Sequence, residues 1–297
     1  MNDLSIRTPK TAILINTRDR PTELAMLLQS LKTQIEDNFD IFILDDCGGT
    51  PLTNYNFFNC IISRLKIEGH KIFLKRTEFP NGVSRARQNI VDWALESDYK
   101  YFLRIDDDVT LEDDFLERLI YIIDEDWDIA TGVTPPMMSP TVKRNSNFIS
   151  GGIVNRVILD KDGKFIHNGD DCGMTYLSTE HIFPAHHFRS SALMTREVME
   201  QIKYYPTKLT KHGFREEEIF SFKALMKGFK IGVDLNAIAW HQLTPSGGER
   251  FAESQQLMQQ NAQVLTEFTK ENKTKLRKIF IDEKIDKLEL KKETNLI

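Results

Sequence analysis

The sequence predicts an α/β protein: a mainly parallel sheet with helices on both faces, followed by a C-terminal helical extension. Three observations lead there. Short apolar runs recur through the first half of the chain, and each is continuous rather than alternating. Between them lie segments whose apolar residues fall at helical spacing. The runs also end on polar or acidic residues and turns. A continuous apolar strand is buried on both faces, and strands that alternate with helices pair in parallel beneath them.

In order, "TAILI" (11–15) is a buried strand, and Leu24, Leu27, Leu28 and Leu31 after Pro21 form one helical face. "FDIFILDDCGG" is a second strand, closing on Asp45, Asp46 and a glycine turn, and "HKIFLKR" is a third. "NGVSRARQNIVDWALES" is a helix with Val83, Ala86, Ile90 and Ala94 inward. "YKYFLRI" is a fourth strand, halted by Asp106, Asp107 and Asp108; "EDDFLERLIYIIDE" is then a helix whose N-terminal acids are Glu112, Asp113 and Asp114. The pattern changes after residue 134. "TPPMMSPTVKRNSN" is a loop, "GGIVNRVILDKDGKFIHNG" a hairpin turning at Asp162-Gly163, and residues 168–181 are polar and irregular. "HHFRSSALMTREVMEQI" gives a strand and helix. "FREEEIFSFKALMKGFKIGV" gives a helix stopped by Gly228 and a strand, and "AIAWH" ends at His241 before the flexible "QLTPSGGERF". From Glu253 the chain is helical with alternating charge, which suits a solvated helix.

Composition narrows the class. The 297 residues are 40% hydrophobic and 28% charged, enough for a sizeable core. A net charge of −5 from 39 basic and 44 acidic residues gives no support to a polyanion binder. Cys47, Cys60 and Cys172 are odd in number and lack CxxC spacing, so reduced thiols are expected rather than a disulfide framework or zinc site. No run approaches the ~20 apolar residues of a membrane span, and the N-terminal run is too short for a signal peptide. A soluble, cytoplasmic protein is the expectation.

In parallel sheets ligands bind beyond the carboxyl ends of the strands, which is where Thr17, Asp46 and Asp106 to Asp108 all fall. Three adjacent carboxylates repel one another unless a cation reverses the local charge logic. Asp106-x-Asp108 offers hard oxygens in a short loop, suited to Mg²⁺ or Mn²⁺ shared with a substrate's phosphates. There is no phosphate loop of the GxxxxGK[ST] type, no strand-linked GxGxxG, no GxSxG and no HExxH. His181, His186 and His187 cluster without an acidic partner at metal spacing and are taken as packed or polar histidines.

In this combination the chain resembles the GT-A-fold (Rossmann-like) nucleotide-sugar glycosyltransferases, specifically the inverting family two. "TRDRP" stands at the turn after the first strand and "ILDDCGG" at the Asp-Asp-Gly-Ser turn after the second. "NGVSRARQNIVDWAL" is similar to the Gly-x-x-x-Ala-Arg-Asn helix, "RIDDDV" to the DXD motif, and "REEEIFSFKALMKGFKIG" to the late Glu-Asp helix, with His241 following.

The resemblance implies a metal-dependent, inverting transfer from a nucleotide sugar, expected to be UDP-linked, to an acceptor hydroxyl. It implies that Thr17, Arg18, Asp19, Asp46, Arg87, Asp106 and Asp107 serve the nucleotide sugar, with Asp46 at the base. It implies that Asp108 and Asp106, with His241, hold Mn²⁺ or Mg²⁺, and that Glu217 is the catalytic base. Glu216 and Glu218 remain rivals, because the family usually has Asp there. Residues 1–134 would be the donor half, 135–252 the acceptor and catalytic half, and 253–297 an extension. The acceptor stays open between glycan, lipid carrier, protein and modified nucleic acid, and "TPSGGER" is a candidate lid. A sugar-phosphate nucleotidyltransferase and a silent nucleotide-sugar-binding module are the alternatives.

Overall fold

A computed structural model describes residues 10–138, 182–204, 209–244, 247–248 and 254–282, together with short strands at 148–150, 157–159, 165–167 and 175–177. The first half runs β1 (Thr11–Thr17), α1 (Pro21–Leu31), β2 (Phe39–Asp45), α2 (Asn56–Ile67), β3 (Ile72–Arg76), α3 (Val83–Leu95), β4 (Tyr101–Asp106), β5 (Val109–Leu111), α4 (Phe115–Asp124) and β6 (Ile129–Val133). Then come β7 (Phe148–Ser150), β8 (Val157–Leu159), β9 (Phe165–His167), β10 (Thr175–Leu177), β11 (Ile182–Pro184), β12 (Ser191–Thr195), α5 (Arg196–Gln201), α6 (Glu216–Met226), β13 (Ile231–His241), α7 (Ser254–Glu271) and α8 (Lys273–Asp282).

The main sheet has the order β11-β13-β6-β12-β4-β1-β2-β3, with β5 added onto β13. Pairings across β3-β2-β1-β4 and between β6 and β13 are parallel, while β12, β11 and β5 pair antiparallel. The sheet is thus mostly parallel, with β11 and β12 of the second half and the short β5 of the first half running antiparallel. One face packs on α1, α2 and α4 through a core that includes Leu24, Phe58 and Phe115; the other packs on α3, α5 and α6 through Ile90, Val198 and Phe220. Side chains alternate along a strand, so Leu103 and Ile105 of β4 enter the first core while Phe102 enters the second.

Several elements differ from the expectation. The helix α2 was not expected, although Phe58, Ile61, Ile62 and Leu65 stand at helical spacing; Phe58 and Leu65 are buried, and Ile61 and Ile62 pack against them half-buried. The strands β5 and β6 were also unread: β5 is three residues long, and β6 ("IATGV") is interrupted by Gly132. A Cβ at Gly132 would lie 2.2 Å from the Ala237 carbonyl oxygen, so glycine is what allows β13 to pass this close, next to its shift in register between Val233 and Ile238. "KIGV" and "AIAWH" are one eleven-residue strand, β13. β8 and β9 pair antiparallel as the expected hairpin requires, its turn at 162–163 lying outside the described residues. The charge-alternating C-terminal segment docks rather than standing in solvent. Leu265 and Leu276 are buried in the second core, and the Phe280 ring meets Phe222 and His186.

Candidate active site

The carboxyl ends of the parallel strands open on a cavity of about 540 Å³. Its walls include Thr17, Arg18, Asp46, Arg87, Asp106, Asp107, Asp108, Glu217, His241 and Gly248. The parallel β1–β2–β4 register sets the first part of this meeting: Thr17 lies opposite Asp45, and Asn16 opposite Asp106. The second part comes from β5. After β4 the chain turns through Asp107 and Asp108 and pairs antiparallel with the end of β13, setting His241 opposite Val109. The Gln242 backbone N–H donates to the Asp108 carbonyl at 2.9 Å. A histidine more than a hundred residues away is thereby fixed beside Asp108, with Nε2 3.6 Å from Oδ1.

Ligand atoms of Asp106, Asp108 and His241 all lie within 4.8 Å of one another. Leu243 N–H donates to His241 Nδ1 at 2.9 Å, which directs Nε2 toward the carboxylates. Around this cluster three arginines balance the acids. Arg20, at the start of α1, is 2.8 Å from Asp107 Oδ1 and 3.1 Å from Asp108 Oδ2. Arg87 of α3 is 2.6 Å from Asp106 Oδ1, and Arg104 of β4 is 3.1 Å from the same oxygen. Burial alone would raise the Asp106 carboxyl, but Arg104, Arg87 and His241 hold it down at about 2. Burial lifts Asp107 to about 6, with Arg20 opposing the rise and Asp108 adding to it. Asp107 therefore reaches the cavity edge with its carboxylate already engaged by Arg20, a residue the sequence reading passed over inside "TRDRP".

The three glutamates that open α6 diverge as helical neighbours must. Arg215, with φ of 73°, turns the chain into the helix. Glu216 is buried against Arg87 and Arg104. Glu218 pairs with Arg215 at 2.5 Å. Glu217 keeps 21% of its side chain exposed on the cavity, held by Arg104 NH1 at 2.7 Å and by the Ser190 backbone N–H at 3.1 Å.

The residues expected around the nucleotide are gathered unevenly. Asp46 lines the cavity, but its carboxylate accepts from Thr77 Oγ1, from Asn81 N–H and Nδ2, and from Gly82 N–H, at 2.8 to 3.1 Å. Asp19 stands apart from the cavity wall: its Oδ1 accepts from the Gly49 N–H at 2.6 Å, tying the turn after β1 to the turn after β2. The Arg18 carbonyl accepts from Gly248 N–H at 2.8 Å, so described residues of the "TPSGGER" stretch reach the loop after β1. His186 and His187 are buried in packing, while His181 and Cys172 lie outside the described residues. Of the segment 168–181, expected to be irregular, the described part is the strand β10, which pairs antiparallel with β7. Among the described residues no helix is long and apolar enough to cross a membrane.

Residues 12–176, more than half of the chain, match the glycosyl transferase family 2 profile. Among curated proteins none matches the chain. Solved structures share the fold. GalNAc-T7 with UDP, GalNAc and Mn²⁺ superposes with a TM-score of 0.59 at 13% identity, over 78% of this chain and 43% of that one. S. aureus TarS 1–349 with UDP-GlcNAc gives 0.52 at 14% identity, over 84% and 64%. S. aureus TarS gives 0.50 at 15% identity over 80% of this chain, which spans only 37% of the TarS chain. At such identities the likeness speaks for the architecture, the GT-A fold. With the profile match, it closes the question of kinship: this chain belongs to glycosyl transferase family 2.

Proposed function

We propose that the protein transfers a sugar from a nucleotide sugar, with UDP the favoured nucleotide, to an acceptor hydroxyl with inversion and with the help of Mn²⁺ or Mg²⁺. The observation that carries this reading is that the Asp106–Asp108–His241 cluster and the Glu217 carboxylate open on one cavity. The UDP and UDP-GlcNAc in complexes of TarS, and the UDP and Mn²⁺ with GalNAc-T7, support the choice of donor and cofactor.

The donor set fits such an ion. Ligands of an octahedral ion with bonds of ~2.1 Å sit ~3 to 4 Å apart, and the three donors approach that spacing before any side chain moves. Two carboxylates and one imidazole suit Mn²⁺ or Mg²⁺, the nitrogen tilting the set toward Mn²⁺. Binding through His241 Nε2 puts the ring proton on Nδ1, so the contact from Leu243 N–H gives way. When bound, the ion would offset charge on the diphosphate leaving group.

The protein's own residues would do the rest. Arg87 and Arg20 bring positive charge to the cavity wall. The loop that Asp46 holds at residues 77–82 sets the entrance to α3 and hence the place of Arg87. Glu217, the exposed glutamate of the three, takes the acceptor proton as the hydroxyl oxygen attacks. A single base with in-line displacement gives inversion, and such general-base help supplies ~10²- to 10⁴-fold in rate. Residues 1–134 would serve as the donor half and 135–252 as the acceptor half, with Arg189, Ser190, Phe214 and Arg215 on the second half's side of the cavity.

The test is a panel of nucleotide sugars screened for thermal stabilisation with and without Mn²⁺, followed by nucleoside diphosphate release. The expected result is metal-dependent stabilisation by a UDP-sugar. Stabilisation by a nucleoside triphosphate with sugar phosphate, and by no nucleotide sugar, would overturn the reading.

A further inference from the structure

Arg104 sits in the middle of β4, between Leu14 of β1 and Ala192 of β12, and is only 2% exposed. A cation in such a place loses its water and must find carboxylates in return. Its register neighbours supply none. Strand alternation puts Arg104 on the same face as Asp106, and the docking of α6 brings Glu216 and Glu217 to that face. One guanidinium thus spans two elements: NH2 is 3.1 Å from Asp106 Oδ1, and NH1 is 2.7 Å from Glu217 Oε1. The Phe188 ring, 5.8 Å from the guanidinium carbon, backs it. Asp106, Glu217 and Arg87 line the cavity, whereas Arg104 lies behind them.

We propose that Arg104 is a positioning residue that fixes the strand-end carboxylate Asp106 and the helix carboxylate Glu217 in one relation, without touching substrate. This rests on the reading of Asp106 as metal ligand and Glu217 as base. Those two groups belong to different elements, so their separation would otherwise follow every small shift of α6 against β4. A planar guanidinium with NH1 and NH2 at a fixed spacing sets that separation, through a hydrogen bond to Asp106 and a close ion pair with Glu217, and a single ammonium on a flexible stem does not. Arg87 reaches the same carboxylates from the cavity wall, where a ligand can recruit it; Arg104 stays committed.

The decisive variant is Arg104→Lys, which keeps the buried positive charge and removes the planar guanidinium. Circular dichroism and thermal melting check that it folds. Two quantities are then measured: UDP affinity with and without Mn²⁺, and UDP release from UDP-GlcNAc or the UDP-sugar selected by the stabilisation panel. Loss of an outer-shell partner of this kind costs ~10- to 100-fold, so Mn²⁺-dependent UDP affinity and turnover should each fall by that order. In a Glu217→Gln background, the lysine substitution should cost little further turnover while still weakening Mn²⁺-dependent UDP binding, because residues acting as a unit are not additive. Unchanged affinity and turnover in Arg104→Lys overturn the proposal. So do losses that multiply in full in the Glu217→Gln background, since that is what a general loosening of the fold would give. Full turnover in Glu217→Gln alone instead removes the base reading. The Asp106 arm is then judged by the metal titration, and unchanged Mn²⁺-dependent UDP affinity in Arg104→Lys sinks it. Should the lysine variant fail to fold, Arg104→Gln combined with Glu216→Gln removes a buried carboxylate along with the cation and is read in the same way.

Discussion

Two clusters of aspartates end two strands of the same parallel sheet, and they are used in opposite ways. Asp45 and Asp46, at the end of β2, are buried and answered from within the chain. Arg76 pairs with Asp45 at 2.5 Å, and the hydroxyl, amide and backbone N–H groups of residues 77–82 surround Asp46. Asp106, the last residue of β4, and Asp108, just beyond it, are balanced chiefly by side-chain cations and stand close to each other and to His241. A carboxylate held by fixed backbone donors shapes a loop. A carboxylate crowded by its own kind and steadied by arginines keeps the capacity to take on a divalent cation. The same residue type is therefore enclosed by loop donors at one strand end and gathered with a second carboxylate and a histidine at the next, while Asp46 and Asp106 line the same cavity.

The hardest blow to this contrast is Asp108→Ala. It should remove Mn²⁺-dependent UDP binding, weakening it at least ~100-fold, since even outer-shell losses reach that order. The fold should survive, because a repulsive charge leaves and Asp107 keeps Arg20. Chelation of the wild type should reproduce the loss. Calorimetric titration of UDP with and without metal makes the check, and equal affinities in variant and wild type would erase the difference between the two clusters.

Next in size is Glu217→Gln, with a fall in turnover of ~10²-fold or more and nearly unchanged donor affinity. Glu216→Gln should act differently: Glu216 lies beneath Arg87 and Arg104, so its loss should lower stability before it lowers the chemical step. Glu218→Gln should do least, as it frees only Arg215 at the helix start. A dead Glu218→Gln beside an active Glu217→Gln would shift the register of the proposed base.

Much of this arrangement was legible in the residues, and the misses have physical causes. Continuous apolar runs announced β1 to β4, and the acids that close them located the cavity end of the sheet. α2 was legible and went unread: Phe58, Ile61, Ile62 and Leu65 carry the helical period, between the glycine turn after β2 and the run of β3. β5 escaped because three residues after three aspartates leave no period to read, yet its pairing with β13 is what brings His241 to Asp108. The resemblance supplied His241 from its place after the late helix; no spacing in the sequence could have shown it meeting Asp108. Arg104 had a visible signal, a charge inside "YFLRID", whose partners became evident only once α6 was docked. Asp46, expected to serve the base, does line the cavity, and nothing in "ILDDCGG" reveals that donors of residues 77–82 also meet its carboxylate.

A moderate effect is expected at the β2 cluster. Asp46→Ala leaves the N–H groups of Asn81 and Gly82 without their acceptor, a loss of about 1–3 kcal/mol in stability that denaturant unfolding would register. UDP should bind more weakly both with and without Mn²⁺, since the loop at 77–82 carries the start of α3. A drop confined to the metal-dependent part would place Asp46 with the chemical cluster and undo the contrast.

The smallest effect expected, and the finest probe of how the β2 turn works, is Gly48→Ala. A Cβ there would fall 2.2 Å from Asp19 Oδ1, so the Asp19 carboxylate must leave the Gly49 N–H it now accepts from at 2.6 Å. The obstacle is the far end of a short side chain with 43% of its surface in water, so it can swing outward without disturbing the core. Gly48 is not among the positive-φ residues, and alanine brings no backbone strain of its own. The cost should therefore be that of one exposed hydrogen bond, about 1 kcal/mol or less, seen as a small fall in unfolding midpoint. Asp19→Ala removes the same bond from the other side, so the two substitutions should not add when combined. If Asp19 acts on the nucleotide only by tying the turns after β1 and β2 together, both single variants and the double should weaken UDP equally. A larger loss in Asp19→Ala than in Gly48→Ala would mean that the displaced carboxylate still reaches the nucleotide, and that the β2 side of the cavity contributes direct contacts as well as shape.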